Sequence, residues 1–406
     1  MIPRGLHALL DAASAAGLVS VPALMGWRGE LRWGMAAAGA GVAAYSLLTR
    51  YDEDGQAPLS MREHLALDGL QGVAFCLAGA RERDATARRA LLAYGAFSIA
   101  AAALTDPGPG RVPVPRQVPL SRDSILRSAR GGRTEEIAQD VAWRRLGIVN
   151  VVFLGPPGAG DRGWVLVDAG LNGTARMIEA AAAERFGHGA RPRAIVLTHG
   201  HFDHVGALQQ LARRWDAPIY AHTLEHPFLT GQAAYPLGDP TLTGAMAALC
   251  GFYPTAPVDV SPRLQALPED GSLPGLPGWR WIHTPGHAPG HVSLWRERDR
   301  TLVAGDAVVT TRQESALAVL RQAPEMHGPP AYFTPDWTAA RHSVRRLADL
   351  APEVIVAGHG PPMGGARMRM ALHDLARHFD DLAVPHGGRY APQRGSGLVV
   401  THDDRR

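Results

Sequence analysis

Three histidines and one aspartate lie within six residues of each other, directly after the apolar run 194–197. They are His199, His201, Asp203 and His204. Neutral imidazole and carboxylate groups are common protein ligands of divalent metals such as zinc. A metal with an open coordination position lowers the pKa of water enough to produce hydroxide at neutral pH. The cluster therefore predicts a metal-dependent hydrolase.

The spacing of the four side chains favours two adjacent metals over one. A strand followed by a loop lets His199 and His201 project to one side, while Asp203 and His204 begin the next helix. A single catalytic zinc takes three protein ligands and a water, so further ligands are expected downstream. Loops that follow apolar strands are where α/β proteins place such groups. Three downstream side chains occupy these positions: His287, Asp306 and His359.

These motifs, together with Asp168 in the segment 165–170, resemble the metallo-β-lactamase superfamily in their order along the chain. The resemblance is to its dinuclear hydrolases, the class that includes glyoxalase II and the acyl-homoserine lactonases, and it covers residues 115–385. It implies an α/β fold in which two sheets and outer helices form a four-layer αβ/βα sandwich.

The resemblance also implies which side chains share a metal. Asp306 would bridge the two metals, and Asp168 would orient ligands without binding a metal itself. Either Asp203 or Asp306 would accept or relay the proton in catalysis. The implied ligands of the first metal, and then of the second, are His199, His201 and His287, and Asp203, His204 and His359.

Two divalent metals held close together would stabilise hydroxide far below the pKa of free water. Nitrogen and oxygen ligands suit zinc, with iron or manganese as alternatives. The expected reaction is hydrolysis of a carboxylic ester, lactone or thioester in a small-molecule substrate. A phosphodiester or β-lactam hydrolase is one alternative, and an iron-dependent sulfur oxidoreductase of the same fold is another.

Residues 223–275 form a Pro-rich insertion that is expected to lie over the metal site. At its start, the segment 222–226 spells the H-x-x-E-H pattern of inverted zinc peptidases. Pro227 follows immediately, so a helix would have to begin there and could not present both histidines on one face. The glycine-rich segment 155–160 lacks the Lys-Ser/Thr of a phosphate-binding loop and is interpreted as a hairpin loop.

Apolar runs and helical periodicity predict the elements of the catalytic domain. The predicted strands are 148–154, 164–168, 194–198, 218–221, 279–284, 292–297, 301–304 and 354–357. The predicted helices are 174–186, 203–215, 337–350 and 364–383.

The length of 406 residues and a run of Pro and Gly after residue 105 predict two domains. Residues 1–105 are expected to be an all-α four-helix domain, and residues 106–120 a linker. Residues 121–390 would be the catalytic domain, and residues 391–406 a disordered tail.

Four stretches of the first domain are nearly free of charge and close to the length that crosses a bilayer. Together they predict four membrane spans and resemble, in part, small bacterial proteins of the SPW-repeat type. The expected location is the bacterial inner membrane, with the catalytic domain in the cytoplasm. A soluble Ala-rich bundle and a signal peptide at the N-terminus remain alternatives. The stretches are 6–27, 33–49, 65–80 and 90–105.

Charge and cysteine content limit the other partners. All 41 basic residues are Arg, they are scattered, and the formal net charge is only +3, so a nucleic-acid partner is not expected. The two cysteines, Cys76 and Cys250, fall in different predicted domains, which excludes a disulfide framework. The sequence leaves the oligomeric state open.

Overall fold

A computed structural model describes residues 2–49, 51, 59, 61–106, 114–115, 118–120, 125–126 and 133–392. Most of the predicted linker, 106–120, lies outside these residues. So does the predicted disordered tail, 391–406, apart from its first two residues.

The N-terminal domain consists of four helices, as predicted. They are α1 (Arg4–Leu24), α2 (Gly29–Leu47), α3 (Met61–Arg81) and α4 (Ala85–Leu104). Helices α3 and α4 approach closely at glycines, since a Cβ at Gly95 would lie 2.5 Å from the Cys76 Sγ. Small residues at such crossings allow close packing of helices.

Two of these helices, α1 and α4, are long and apolar enough to cross a membrane. A core helix of a soluble protein and a signal sequence meet the same criterion. The helices of the predicted membrane domain are therefore present, but the four predicted spans are not confirmed.

The predicted catalytic domain contains two sheets and a short pair of strands. Seven strands, β2 to β8, form the first sheet in chain order, and the second sheet has the order β14, β13, β11, β10, β9. The short pair joins β1 and β12. The strands are β1 (Val118–Pro119), β2 (Glu135–Ala138), β3 (Val141–Leu146), β4 (Val149–Leu154), β5 (Val165–Val167), β6 (Ala194–Val196), β7 (Ile219–Ala221), β8 (Leu264–Ala266), β9 (Trp279–His283), β10 (Val292–Arg296), β11 (Thr301–Gly305), β12 (Glu325–Met326), β13 (Val354–Ala357) and β14 (Met363–Gly364).

Helices cover the outer face of each sheet. Helices α5 and α7 pack on the first sheet, and α11 and α12 pack on the second. The helices of this domain are α5 (Ala175–Phe186), α6 (Phe202–Val205), α7 (Leu208–Trp215), α8 (His226–Leu229), α9 (Ala245–Leu249), α10 (Ala316–Arg321), α11 (Trp337–Asp349), α12 (Ala366–Arg377) and α13 (Phe379–Leu382).

Alternation along the strands builds the layers. Val165 and Val167 of β5 point into the core between the sheets, while Leu166 points to the helix side. The side chains of a strand alternate between faces, so an apolar strand serves both cores. This arrangement is the predicted four-layer αβ/βα sandwich, which is confirmed.

Two predicted helices are interrupted. The predicted helix 203–215 splits into α6 and α7 around Gly206, where a Cβ would lie 2.1 Å from the Asn172 backbone nitrogen. The predicted helix 364–383 splits into α12 and α13 at His378. The hairpin of β2 and β3 and the edge strand β8 were not predicted. The segment 155–160 does join two antiparallel strands, β4 and β5, as a hairpin loop.

Candidate metal centre

All seven predicted ligands lie where strands end. Strand β6 leads into the loop with His199 and His201, and α6 then carries Asp203 and His204. His287 lies in the loop between β9 and β10. Asp306 directly follows β11, and His359 lies just beyond β13. These two strands run parallel. The ends of parallel strands share one edge of a sheet, so residues far apart in the chain meet there.

His199, His201 and His287 form the first group. One nitrogen from each lies within 4.8 Å of the others, and all three side chains are buried. The His201 Nδ1 and the His287 Nε2 are 2.9 Å apart. Three imidazoles at this separation can share one metal ion.

Asp203, His204 and His359 form the second group, also with ligand atoms within 4.8 Å of one another. The Asp203 Oδ2 lies 3.4 Å from the His359 Nε2 and 4.0 Å from the His204 Nε2. All three side chains are buried.

The carboxylate of Asp306 lies between the groups. Its Oδ2 is 3.5 Å from the His287 Nε2 of the first group and 3.1 Å from the His359 Nε2 of the second. Its Oδ1 is 3.6 Å from the His204 Nε2. This position is the one that a bridging ligand requires.

Three buried atoms of these groups have no hydrogen-bond partner among the described residues. They are the His199 Nε2, the His204 Nε2 and the Asp306 Oδ1. Buried polar atoms are nearly always paired, so an unpaired set converging on one space calls for another partner. The donors are imidazole and carboxylate, which fit divalent metal ions.

Asp168 orients ligands from behind. Its carboxylate accepts hydrogen bonds from the Thr198 backbone N–H at 2.8 Å and from the Thr198 hydroxyl at 2.8 Å. The His204 Nδ1–H donates to the Asp168 Oδ2 at 2.9 Å, which turns the His204 Nε2 toward the second group. Asp168 has a φ of 60°, a left-handed conformation uncommon for residues other than glycine. Strain of this kind persists where surrounding contacts hold it, often at functional sites.

Further hydrogen bonds hold His359 of the second group and Asp306 between the groups. The His359 Nδ1–H donates to the Ile148 carbonyl oxygen at 2.7 Å, so the His359 Nε2 faces the carboxylates. His291 accepts the Asp306 backbone N–H at its Nε2, at 2.9 Å, and pairs with the Thr284 hydroxyl through its Nδ1. His291 was not predicted to be a ligand, and it lies behind Asp306.

The electrostatics differ between the groups. Burial, with His204 nearby, lowers the pKa of His201 to about 3, and burial lowers the pKa of His199 and His287 well below the usual range. These three rings are therefore neutral, and a neutral imidazole has one nitrogen that can bind a metal. For His204, burial opposes a charge, yet Asp306 and Asp168 raise its pKa well above the usual range. The carboxylates around the second group thus favour a positive charge there.

Glu225 also belongs to the site. In the sequence it stood out only as part of the H-x-x-E-H pattern. It is fully buried, and its carboxylate accepts the backbone N–H of Gly200 at 2.9 Å and of Gly290 at 2.7 Å. The Tyr235 hydroxyl also donates to it. Burial raises the pKa of Glu225 despite these donors. Glu225 therefore joins the loop of His199 and His201 to the loop of His287, and the H-x-x-E-H interpretation is not needed.

An apolar cavity of about 440 Å³ opens onto the first group. His201 and His287 line one side, and Tyr235 and Phe333 stand beside them, with ring centroids 4.2 and 5.1 Å from that of His201. Ligand pockets commonly have this size and apolar lining. Other lining residues are Leu224, Phe228, Pro285, Pro335, Asp336 and Ala339.

Residues 144–359 match the family model described as Metallo-beta-lactamase superfamily. The match covers more than half of the 406 residues and includes all seven predicted ligands. The chain therefore belongs to the metallo-β-lactamase superfamily.

Two relatives from Bacillus subtilis agree with this membership. The chain is 46% identical over 258 residues to the probable metallo-hydrolase YflN of Bacillus subtilis. The aligned region covers 63% of this chain and 97% of that protein. It is 31% identical over 196 residues to the probable metallo-hydrolase YybB of the same organism, covering 48% of this chain and 74% of that one. A crystal structure of a beta-lactamase domain protein from Burkholderia ambifaria aligns with a TM-score of 0.45 and 24% identity, over 62% of this chain and 74% of that one. The chain is a hydrolase of this superfamily with clustered His and Asp side chains suited to divalent metals.

Proposed function

We propose that the catalytic domain hydrolyses a carboxylic ester, lactone or thioester with an apolar acyl group, using two divalent metals. The observation that carries this proposal is the apolar cavity that ends at His201 and His287 of the first group. When bound there, the metals supply Lewis acidity and lower the pKa of water.

The chain's own groups then orient the reactants. Asp306 lies between the two groups, and its oxygens face imidazole nitrogens of both. Asp203 belongs to the second group alone, and we assign it the role of accepting a proton from the attacking water. Tyr235 and Phe333 confine the acyl group beside His201 and exclude bulk water.

The lining of the cavity disfavours the β-lactam alternative. Neither Arg nor Lys is among the described residues that line it, and Asp336 adds a carboxylate. A phosphodiester carries a negative charge on its reacting group, and β-lactam antibiotics carry a carboxylate. The charge of a phosphodiester would lie at the metals, but the carboxylate of a β-lactam would enter this apolar space without an Arg or Lys side chain to pair with.

We assign zinc as the leading metal, because catalytic zinc is commonly held by imidazole together with carboxylate. Iron and manganese accept the same ligands. The second group is complete, with Asp203, His204 and His359 all within 4.8 Å of one another. Two complete groups favour metal-dependent hydrolysis over a sulfur oxidoreductase with a single iron.

The test is a substrate panel on the purified, metal-replete full chain, with p-nitrophenyl esters of increasing acyl length, lactones and thioesters. The Ala339→Phe variant would narrow the cavity and should lower kcat/KM for the longest acyl group about tenfold or more, an effect of about 1.4 kcal/mol. The neighbouring Thr338 is exposed and does not line the cavity, so Thr338→Phe is the matched control. Turnover of bis-p-nitrophenyl phosphate or nitrocefin by a protein inert on every acyl substrate would overturn the proposal.

We also propose that the N-terminal domain lies in a membrane. Most of the exposed large apolar side chains among the described residues belong to α1–α4, for example Leu24, Trp33, Leu70 and Phe97. The interior of the same domain holds buried histidine and aspartate side chains. Many exposed apolar side chains on helices that enclose buried ionisable groups are what a lipid environment favours over water.

A further inference from the structure

A second cluster of histidine and aspartate lies in the helical domain, far along the chain from the catalytic ligands. We propose that His7, Asp11, His64 and Asp68 bind one divalent transition metal, of the zinc type, in a closed tetrahedral site. All four side chains are buried, and one ligand atom from each lies within 4.8 Å of the others. The observations behind this inference are independent of the catalytic site, and only the metal count in its test presumes the two catalytic metals.

The sequence places these residues by repetition. His7 and Asp11 are four residues apart on α1, and His64 and Asp68 are four apart on α3, so each pair lies on one helix face. Each member of the second pair follows its counterpart by 57 residues. The repeat extends to the backbone, because Ile2 bridges Thr105 and the equivalent Leu59 bridges Thr49. Two helical hairpins thus present equivalent ligand pairs to each other.

The ligand atoms have tetrahedral spacing. Bonds of about 2.0–2.1 Å to zinc imply ligand atoms about 3.3 Å apart. The His7 Nε2 lies 3.2 Å from the His64 Nε2. It lies 2.7 Å from the Asp68 Oδ2 and 3.5 Å from the Asp11 Oδ1. The His64 Nε2 lies 3.0 Å from the Asp11 Oδ2 and 3.3 Å from the Asp68 Oδ2. Four ligands at one centre leave no open position, which is typical of structural rather than catalytic zinc.

One threonine fixes the tautomer of each histidine: Thr105 that of His7, and Thr49 that of His64. The Thr105 hydroxyl is 2.6 Å from the Ala101 carbonyl oxygen and the Thr49 hydroxyl is 2.7 Å from the Tyr45 carbonyl oxygen, so each donates its single proton there. Each threonine oxygen can then only accept from histidine, at 2.7 Å from the His7 Nδ1 and 2.8 Å from the His64 Nδ1. The two Nε2 atoms are thereby left to face each other and the carboxylates.

Neutral rings in these tautomers point lone pairs at each other and at carboxylate oxygens. That arrangement is repulsive unless protons on the Nε2 atoms or a metal ion among the four groups neutralise it. The carboxylates are oriented in turn, since the Tyr45 hydroxyl donates to the Asp68 Oδ1 at 2.6 Å and the Tyr51 hydroxyl donates to the Asp11 Oδ2 at 2.6 Å. Hydrogen bonds of this kind to both imidazoles and both carboxylates are typical of metal sites.

The location indicates what the metal would do. The ligands lie where α1 and α3 begin and where α2 and α4 end, so one ion would join both hairpins at that end. Helix α1 also contacts α9 of the catalytic domain, where a Cβ at Gly5 would lie 2.5 Å from the Ala248 Cβ. The metal would thus hold together the end of the bundle that packs on the catalytic domain.

The test uses the full chain in detergent and counts metal per chain by elemental analysis. Three equivalents are expected in the wild type and two in Asp68→Asn, with acyl hydrolysis retained. Ser98→Ala is the control, because the Ser98 hydroxyl donates to the Asp68 backbone oxygen and makes no contact with the proposed ligand atoms. Ser98→Ala should keep three equivalents.

A second measurement covers the case in which Asp68→Asn does not fold. The triple variant His201→Ala/Asp306→Ala/His359→Ala leaves the helical domain untouched, and it should bind one cobalt(II) with the intense visible absorption of a tetrahedral site. No cobalt in that variant, or a wild type with two equivalents that Asp68→Asn does not change, would leave a metal-free ion-pair cluster and overturn the proposal.

Discussion

At the scale of single residues, the groups that orient ligands are as informative as the ligands. Asp168 accepts three hydrogen bonds and fixes both Thr198 and His204. The Thr198 hydroxyl lies 3.1 Å from the His199 Nδ1, so the same carboxylate also influences a ligand of the first group. Removing its charge should therefore disturb both groups without removing a ligand.

We expect Asp168→Asn to weaken metal binding by the catalytic domain about 10–100-fold, because the amide cannot accept all three hydrogen bonds. Competition with a chromogenic chelator measures this affinity. Asp161→Asn is the matched control, since Asp161 is exposed and pairs with Arg191 at 2.7 Å away from the site. Equal affinities in the two variants would show that Asp168 does not orient the ligands.

At the scale of elements, the sites depend on strand ends and on the loops that join them. Apolar runs along the chain were sufficient to predict eight strands and the ligands at their ends, because burial on both faces leaves a continuous local signal. The pairing of Glu225 with Gly200 and Gly290 left no such signal, since it joins three loops through contacts that are distant in sequence. The short, partly exposed strand β8 was missed for lack of an apolar run.

The helical domain shows the same limit. Its four apolar stretches predicted four helices, but the meeting of His7 with His64 depends on how two hairpins pack. Hydropathy likewise could not determine whether these helices cross a membrane, because it reports composition and not surroundings. At the break after α6, Gly206 is in close contact with Asn172, a contact that is distant in sequence.

Replacing Glu225 should loosen the loops that carry the first group. In Glu225→Gln, the amide nitrogen would face a backbone N–H, so one buried donor would lose its acceptor at a cost of about 1–3 kcal/mol. Denaturant unfolding of the full chain in detergent measures the change. Glu269 is exposed, and Glu269→Gln should leave the unfolding free energy unchanged. A wild-type value for Glu225→Gln would contradict the bracing role.

At the scale of the whole molecule, a bundle with a polar cluster at one end of its interior and many exposed apolar side chains adjoins a sandwich with its candidate site at one edge. The contact between α1 and α9 connects the two. If the bundle lies in a membrane, the cavity of the catalytic domain is held close to the bilayer, where apolar acyl substrates concentrate.

Membrane insertion predicts that the full chain sediments with bacterial membranes and resists carbonate extraction. Phe97 is an exposed side chain of α4, so Phe97→Arg would place a charge against lipid at a cost of about 2.5–3.5 kcal/mol and should reduce the membrane-bound fraction. Leu320→Arg, on the exposed surface of the catalytic domain, should not. Full-length protein that stays soluble without detergent would contradict this prediction.

The central claim is that two adjacent metals at the strand ends carry out the hydrolysis. Elemental analysis and acyl-substrate turnover, measured on the same samples of wild type and of His201→Ala/His359→Ala, test it most directly, since the variant removes one ligand from each group. We predict that the variant holds two fewer metal equivalents per chain than the wild type and has no turnover above background. Unchanged metal content, or acyl hydrolysis that persists in the variant, would contradict the account.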